Sequence, residues 1–233
     1  MKILVVADHE SKSLWDYYSP DKLAGIDMII ACGDLKAAYI EFLVTMSNVP
    51  VFYVPGNHDK TFVSNPPEGC VCLDDHVVEY KGVRMLGLGG SMRYKPGPFM
   101  YSEKEMRRRI RRVRTEILSH RGFDILVTHA PAKGYGDLPD MPHNGFDCFN
   151  ELMNRCKPQY MLHGHVHSSY SAHNFKRELV HTGGTTIINA YEKYILEIDE
   201  NDRNTMPMKE LVRNLVKMFT NDKKKAENKE EQK

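Results

Sequence analysis

Short, nearly continuous apolar runs rich in valine and isoleucine recur in the first part of the chain, at residues 2–7, 26–31 and 49–54. Runs of about four to eight such residues predict strands covered on both faces. Residues 36–46 are long enough for a helix between the second and third strands, and Ser19-Pro20 sets an N-cap and a first-turn proline for a shorter one. Residues 77–80 and 83–88 flank Lys81-Gly82 and predict a hairpin. Ser102, with Glu105 three residues on, is a capping-box signature that opens a helix to about His120. Met106, Ile110, Val113 and Ile117 form its apolar stripe, and six arginines (Arg107, Arg108, Arg109, Arg111, Arg112, Arg114) are expected on the remainder as a solvated face. Strands are expected again at 125–128 and 160–162, around a helix at 146–156. Antiparallel strands follow at 178–181, 185–189 and 194–198, and then an amphipathic helix at 209–219 with Leu211, Leu215, Met218 and Phe219 near one side. Almost wholly charged or amide-bearing, residues 221–233 cannot bury enough surface to order themselves and read as a tail behind one domain at 1–220.

Composition adds mainly exclusions. The 32 basic and 31 acidic residues leave a net charge of +1, so no global field draws the protein to nucleic acid or an anionic membrane. Cys32, Cys70, Cys72, Cys148 and Cys156 lack zinc-ribbon spacing and read as reduced thiols. The leading apolar run ends at Asp8, too short for a signal peptide or a membrane span, so a soluble cytoplasmic protein is expected.

Candidate chemistry lies where polar residues stop the apolar runs. The predicted strands end in Asp8-His9-Glu10, Gly33-Asp34, Gly56-Asn57-His58-Asp59, Thr128-His129 and Gly164-His165-Val166-His167. In an open α/β sheet these strand ends line one crevice. Converging Asp, Asn and His side chains there mean a metal site, and two ions about 3.5–4 Å apart need a bridging carboxylate, neutral imidazoles and oxygen donors.

This ordered set resembles the calcineurin-like metallophosphoesterase superfamily, with its D-x-H, G-D, G-N-H-D/E, strand-terminal H and G-H-x-H motifs. The resemblance runs from Asp8 to His167, and the strands at 185–198 resemble the family's closing segment. It implies an α/β fold of two packed mixed β-sheets flanked by helices, a four-layer α/β/β/α sandwich. It also implies two divalent ions: Asp34 bridges them, Asn57, His129 and His165 complete one site, and Asp8 and His167 belong to the other. His58 would contact the phosphate and protonate the leaving oxygen, with Asp59 holding its ring. The implied activity is hydrolysis of a small phosphorylated molecule, a diester or monoester, by in-line attack of a hydroxide bridging the ions. A nuclease of the same superfamily and a non-catalytic module that keeps the fold are the alternatives.

One motif departs. Glu10 stands where the family has a histidine; its ligation would make that site oxygen-rich and favour manganese or magnesium over zinc, and the alternative is a weak or empty first site. Manganese is the expected ion, with iron, magnesium and zinc as the other candidates. His163 is expected as a packed core residue and His143 as an ordinary loop histidine. His76, His120, His173 and His181 carry no partner pattern, and Gly87-Leu88-Gly89-Gly90 reads as a turn because no Lys-Ser/Thr follows.

Overall fold

The computed structural model describes residues 1–169, 175–199 and 206–230. Along the chain the strands and helices are β1 (Lys2–Ala7), β2 (Met28–Ala31), α1 (Ala37–Met46), β3 (Val51–Tyr53), β4 (Val71–Cys72), β5 (Val77–Tyr80), β6 (Val83–Leu88), β7 (Ser91–Met92), β8 (Met100–Tyr101), α2 (Glu103–Arg112), α3 (Arg114–Ser119), β9 (Ile125–Thr128), α4 (Asp147–Cys156), β10 (Tyr160–His163), β11 (Glu178–Val180), β12 (Thr186–Asn189), β13 (Glu192–Glu197) and α5 (Met208–Glu230). They form a five-stranded sheet in the order β13-β1-β2-β3-β4, a six-stranded sheet in the order β11-β12-β10-β9-β6-β5, and a small β7-β8 pair.

Alternation along the strands builds the layers, because successive side chains point to opposite faces. Ile3, Val5 and Ala7 of β1, Met28 and Ile30 of β2, Ile125 and Val127 of β9 and Leu162 of β10 form the core between the two sheets. The other face of the first sheet, with Leu4, Val6 and Ile29, packs on α1 through Tyr39, Ile40 and Leu43. The outer face of the second sheet, with Leu126, Met161 and Ile187, is covered by α2 to α5 through Met106, Ile110, Ile117, Phe149, Leu152, Leu211 and Leu215. Every core strand is therefore apolar on both faces, and the result is the expected four-layer α/β/β/α sandwich. Among the described residues, no helix is long and apolar enough to cross a membrane.

Several local expectations change. The segment after Ser19 forms only a short 3-10 turn, Pro20–Leu23, without a side-chain cap bond. The capping box at Ser102 is complete, with Ser102 Oγ accepting from the Glu105 amide at 3.3 Å and Glu105 Oε2 from the Ser102 amide at 2.7 Å. Its helix breaks at Val113, where ψ is −1°. The last strand does not pair with β12. Instead the chain crosses between sheets at Ala190-Tyr191, with Ala190 N donating to His163 O at 2.7 Å, and β13 runs antiparallel beside β1. The α5 backbone runs on through 221–230, inside the segment read as a tail; lysine and glutamate are good helix formers. Phe219's side chain and residues 231–233 lie outside the described residues.

Candidate metal centre

β1, β2 and β3 run parallel, as do β9 and β10, so the carboxyl ends of both sheets open onto a common edge. The sheets are joined there by His165 N, which donates to both Asp8 oxygens at 2.8 and 2.9 Å, while Gly164 N donates to His129 O at 3.0 Å within the second sheet. Three residues at the strand ends take left-handed backbone: Asp8 (φ 65°), Asp34 (φ 56°) and His165 (φ 69°). Non-glycine residues held this way mark places where the surrounding structure imposes a conformation that serves the site. The motif glycines have a steric reason. A Cβ at Gly56 would collide with Asp34 Oδ1, and one at Gly164 with Asp8 Oδ2.

Four predicted ligands meet at His129. Its Nε2 lies 3.0 Å from Asn57 Oδ1, 3.1 Å from His165 Nδ1 and 3.3 Å from Asp34 Oδ2. Donors sharing one ion at about 2.0–2.2 Å stand about 3.0–3.5 Å apart, which the three distances from His129 match, and Asp34, His129 and His165 offer ligand atoms all within 4.8 Å of one another. The outer ring nitrogens fix the tautomers: His129 Nδ1 donates to Cys32 O and His165 Nε2 to Pro142 O, each at 2.8 Å. Two imidazole lone pairs are thereby aimed at one another in a site where His129 is fully buried and His165 and Asn57 nearly so. Only a positive charge between them, a proton or a metal ion, makes that arrangement favourable.

The electrostatics agree. Burial is the largest influence on His129 and works against its charge, but Asp34's charge and hydrogen bond, Asp8's charge and the Cys32 carbonyl together push the ring up to about 9. Burial, reinforced by His129's charge, holds His165 down at about 3. Burial raises Asp34, but the charge and hydrogen bond of His129 together with the amide and charge of His58 lower it further, ending at about 2.

Asp8 and His167 form a second group, with His167 Nε2 3.5 Å from Asp8 Oδ1. Glu10 is not brought to the Asp34 cluster. Its Oε1 accepts from the Lys36 amide at 3.4 Å and faces Lys36 Nζ at 3.6 Å. The exposed His58 ring reaches to 4.0 Å from Asp34 Oδ2, while its amide donates to Asp34 Oδ1 at 2.7 Å. Asp59 corrects an expectation: it does not hold the His58 ring. Its Oδ2 accepts from the amides of Asp34 and Gly56 at 2.8 and 2.7 Å, a geometry that locks two motif loops together. Burial, then Asp34's charge, push its carboxyl up to about 6.

His163 is the core residue expected, fully buried with Nδ1 donating to Gly164 O at 2.9 Å, and burial holds it down at about 4. His143 is more than a loop residue, since its ring packs 5.2 Å from that of His165 and its Nδ1 lies 2.6 Å from Asp140 Oδ2. Asn189, absent from the sequence reading, pins the last motif by donating to Val166 O at 2.8 Å, and Tyr191 stacks 4.8 Å from His167. Neither carries a local sequence signal, because both act through contacts distant in the chain. His173 lies outside the described residues.

The calcineurin-like phosphoesterase superfamily domain matches residues 1–200. An uncharacterized protein of Haemophilus influenzae is 24% identical over 208 residues, spanning 75% of this chain and 88% of that protein. A UPF0046 protein of Caenorhabditis elegans is 28% identical over 116 residues, 48% of this chain but only 26% of that protein. In structure, TT1561 of Thermus thermophilus aligns with a TM-score of 0.55 at 16% identity, covering 82% of this chain and 89% of that one, which speaks to the fold alone. With the domain match spanning both sheets and all five motif loops, the chain belongs to the calcineurin-like phosphoesterase superfamily.

Proposed function

We propose that this protein hydrolyses a phosphate ester of a small molecule with two divalent ions, manganese foremost. The observation that carries the reading is the pair of facing imidazole nitrogens, His129 Nε2 and His165 Nδ1, closed by Asn57 and Asp34 at the edge shared by both sheets. Asn57, His129 and His165 would hold one ion, Asp8 and His167 the other, with Asp34 between them. Glu10 stays paired with Lys36. Such ions, when bound, lower the pKa of a water towards ~7 and offset charge on phosphoryl oxygens.

The chain's own residues do the rest. Asp59 fixes the amides of Asp34 and Gly56, and the His58 amide holds Asp34 Oδ1, so the central carboxylate is oriented before substrate arrives. His58, side chain 67% exposed above Asp34, is free to meet the leaving oxygen and deliver the proton it needs. His143 and the Pro142 carbonyl brace His165 from the side away from His129.

Turnover of an aryl phosphodiester with added manganese, iron, magnesium or zinc tests the reading, and inertness with all four would end it. For the acid role, His58→Asn should slow a diester with an alkyl leaving group by ~10²–10⁴ and an activated aryl ester far less. Equal losses on both would remove His58 from that role.

A further inference from the structure

A cavity of about 260 Å³ is lined by His9, Glu10, Lys12, Trp15, Asp16 and Lys36. It is bounded by the two loops that carry Asp8 and Asp34, for His9-Glu10 follow the first directly and Lys36 lies two residues beyond the second. The cavity therefore adjoins the candidate metal centre without containing any residue of the Asp34 cluster. Trp15 is half-buried, its ring held by Tyr39 and Phe42 at centroid distances of 5.1 and 5.2 Å, so a rigid indole remains turned to the cavity.

The charges of this lining cancel. Lys12 and Lys36 face Glu10 and Asp16, and the Lys36–Glu10 pair is already formed at 3.6 Å. An ion gains little from such a wall, whereas a neutral ring with hydrogen-bond donors and acceptors finds partners of both kinds beside an aromatic face. The volume lies below the ~300–1,000 Å³ usual for a whole drug-sized ligand, which suits one ring system.

We infer that the Trp15 cavity is the subsite for the leaving group of the substrate, and that this group carries a planar, uncharged heterocycle of nucleobase type stacked on the indole. The inference rests on the phosphate-ester reading above, which places the phosphate at the adjoining centre. Trp15 is the chain's single tryptophan, so its fluorescence reports the cavity whether or not turnover occurs.

The experiment titrates manganese-loaded protein with adenosine 5′-monophosphate and, separately, with ribose 5-phosphate, which has the same phosphate and no base. The first should quench Trp15 saturably and bind ~10-fold or more tightly than the second. Trp15→Leu, matched to the parent in melting midpoint, should erase that advantage by equilibrium dialysis while leaving ribose 5-phosphate affinity unchanged, and Trp15→Phe should restore much of it. Equal affinity for the two probes, an undiminished advantage in Trp15→Leu, or binding of neither overturns the subsite. Turnover of an aryl phosphodiester by the same sample separates the two claims: a turning-over enzyme that fails the titration loses only the subsite, and an inert chain that passes it keeps the base site and loses the hydrolysis.

Discussion

Arg109 and the Asp34 cluster are both polar groups taken out of water, but they are completed differently. Arg109 is 2% exposed, and its guanidinium donates to Asp75 at 2.8 Å, to Gly89 O at 2.8 Å and to Asp74, with the Tyr101 ring 4.2 Å away. One cation meets two carboxylates and a carbonyl, all from this chain. Around Asp34 one carboxylate and one amide oxygen meet two imidazoles whose donor protons already point elsewhere, at Cys32 O and Pro142 O. The first cluster is closed and holds the β6–β7 connection to α2; the second is completed only by a positive charge between its imidazoles, a proton or a metal ion. A buried polar cluster that satisfies itself is structure, and one whose lone pairs face each other is a site.

The largest effect expected from this contrast is on activity. Asp34→Asn should cost ~10³-fold in turnover, several kcal/mol of transition-state stabilisation, while the melting midpoint of the metal-free chain falls little. A variant that unfolds, or one that keeps its rate, would erase the distinction between the two clusters. Arg109→Met should do the reverse, costing about 3–5 kcal/mol in denaturant titration because Asp74 and Asp75 lose their counter-charge. Restoring part of that loss with Asp74→Asn and Asp75→Asn together is the matching check.

Glu10→Gln sharpens the comparison at the open end of the site. If Glu10 serves as a ligand, manganese affinity at the weaker site should drop ~10–100-fold in a metal titration, whereas an unchanged isotherm leaves Glu10 as the partner of Lys36 alone. The smallest effect belongs to the start of α2. Ser102→Ala should cost about 0.5–2 kcal/mol. The hydroxyl of Ser102 first, then its amide and Arg93, hold Glu105 at about 2, below its ordinary 4.5. The carboxylate half of the capping box therefore contributes fully above about pH 4.5 and is lost as pH falls towards 2, so the gap between parent and Ser102→Ala melting curves should narrow through that window, the bond from the Glu105 amide to Ser102 Oγ keeping the rest.

Much of this was legible in the sequence, for a physical reason. Strands buried on both faces are apolar throughout, so the first polar residue marks the strand end, and β1, β2, β9 and β10 close on Asp8, Gly33-Asp34, His129 and Gly164-His165 as read. Arg109 was not legible, because six arginines on one helix look alike until Asp74-Asp75 is known to lie opposite one of them. The crossing of β13 to the first sheet was hidden likewise, since local spacing favours pairing with β12 and only the contact with β1 decides otherwise. Asp59 and Glu10 were placed by motif position, but their partners, backbone amides and Lys36, are set by the packing of neighbouring loops.

The central claim is that Asp34, Asn57, His129 and His165 grip a divalent ion. Manganese retained per chain after dialysis, counted for the parent and for Asp34→Asn side by side, tests it most directly. At least one ion in the folded parent and a clear loss in the variant is the predicted result; a parent that retains none after loading with excess manganese, or a variant that retains as much, would contradict it.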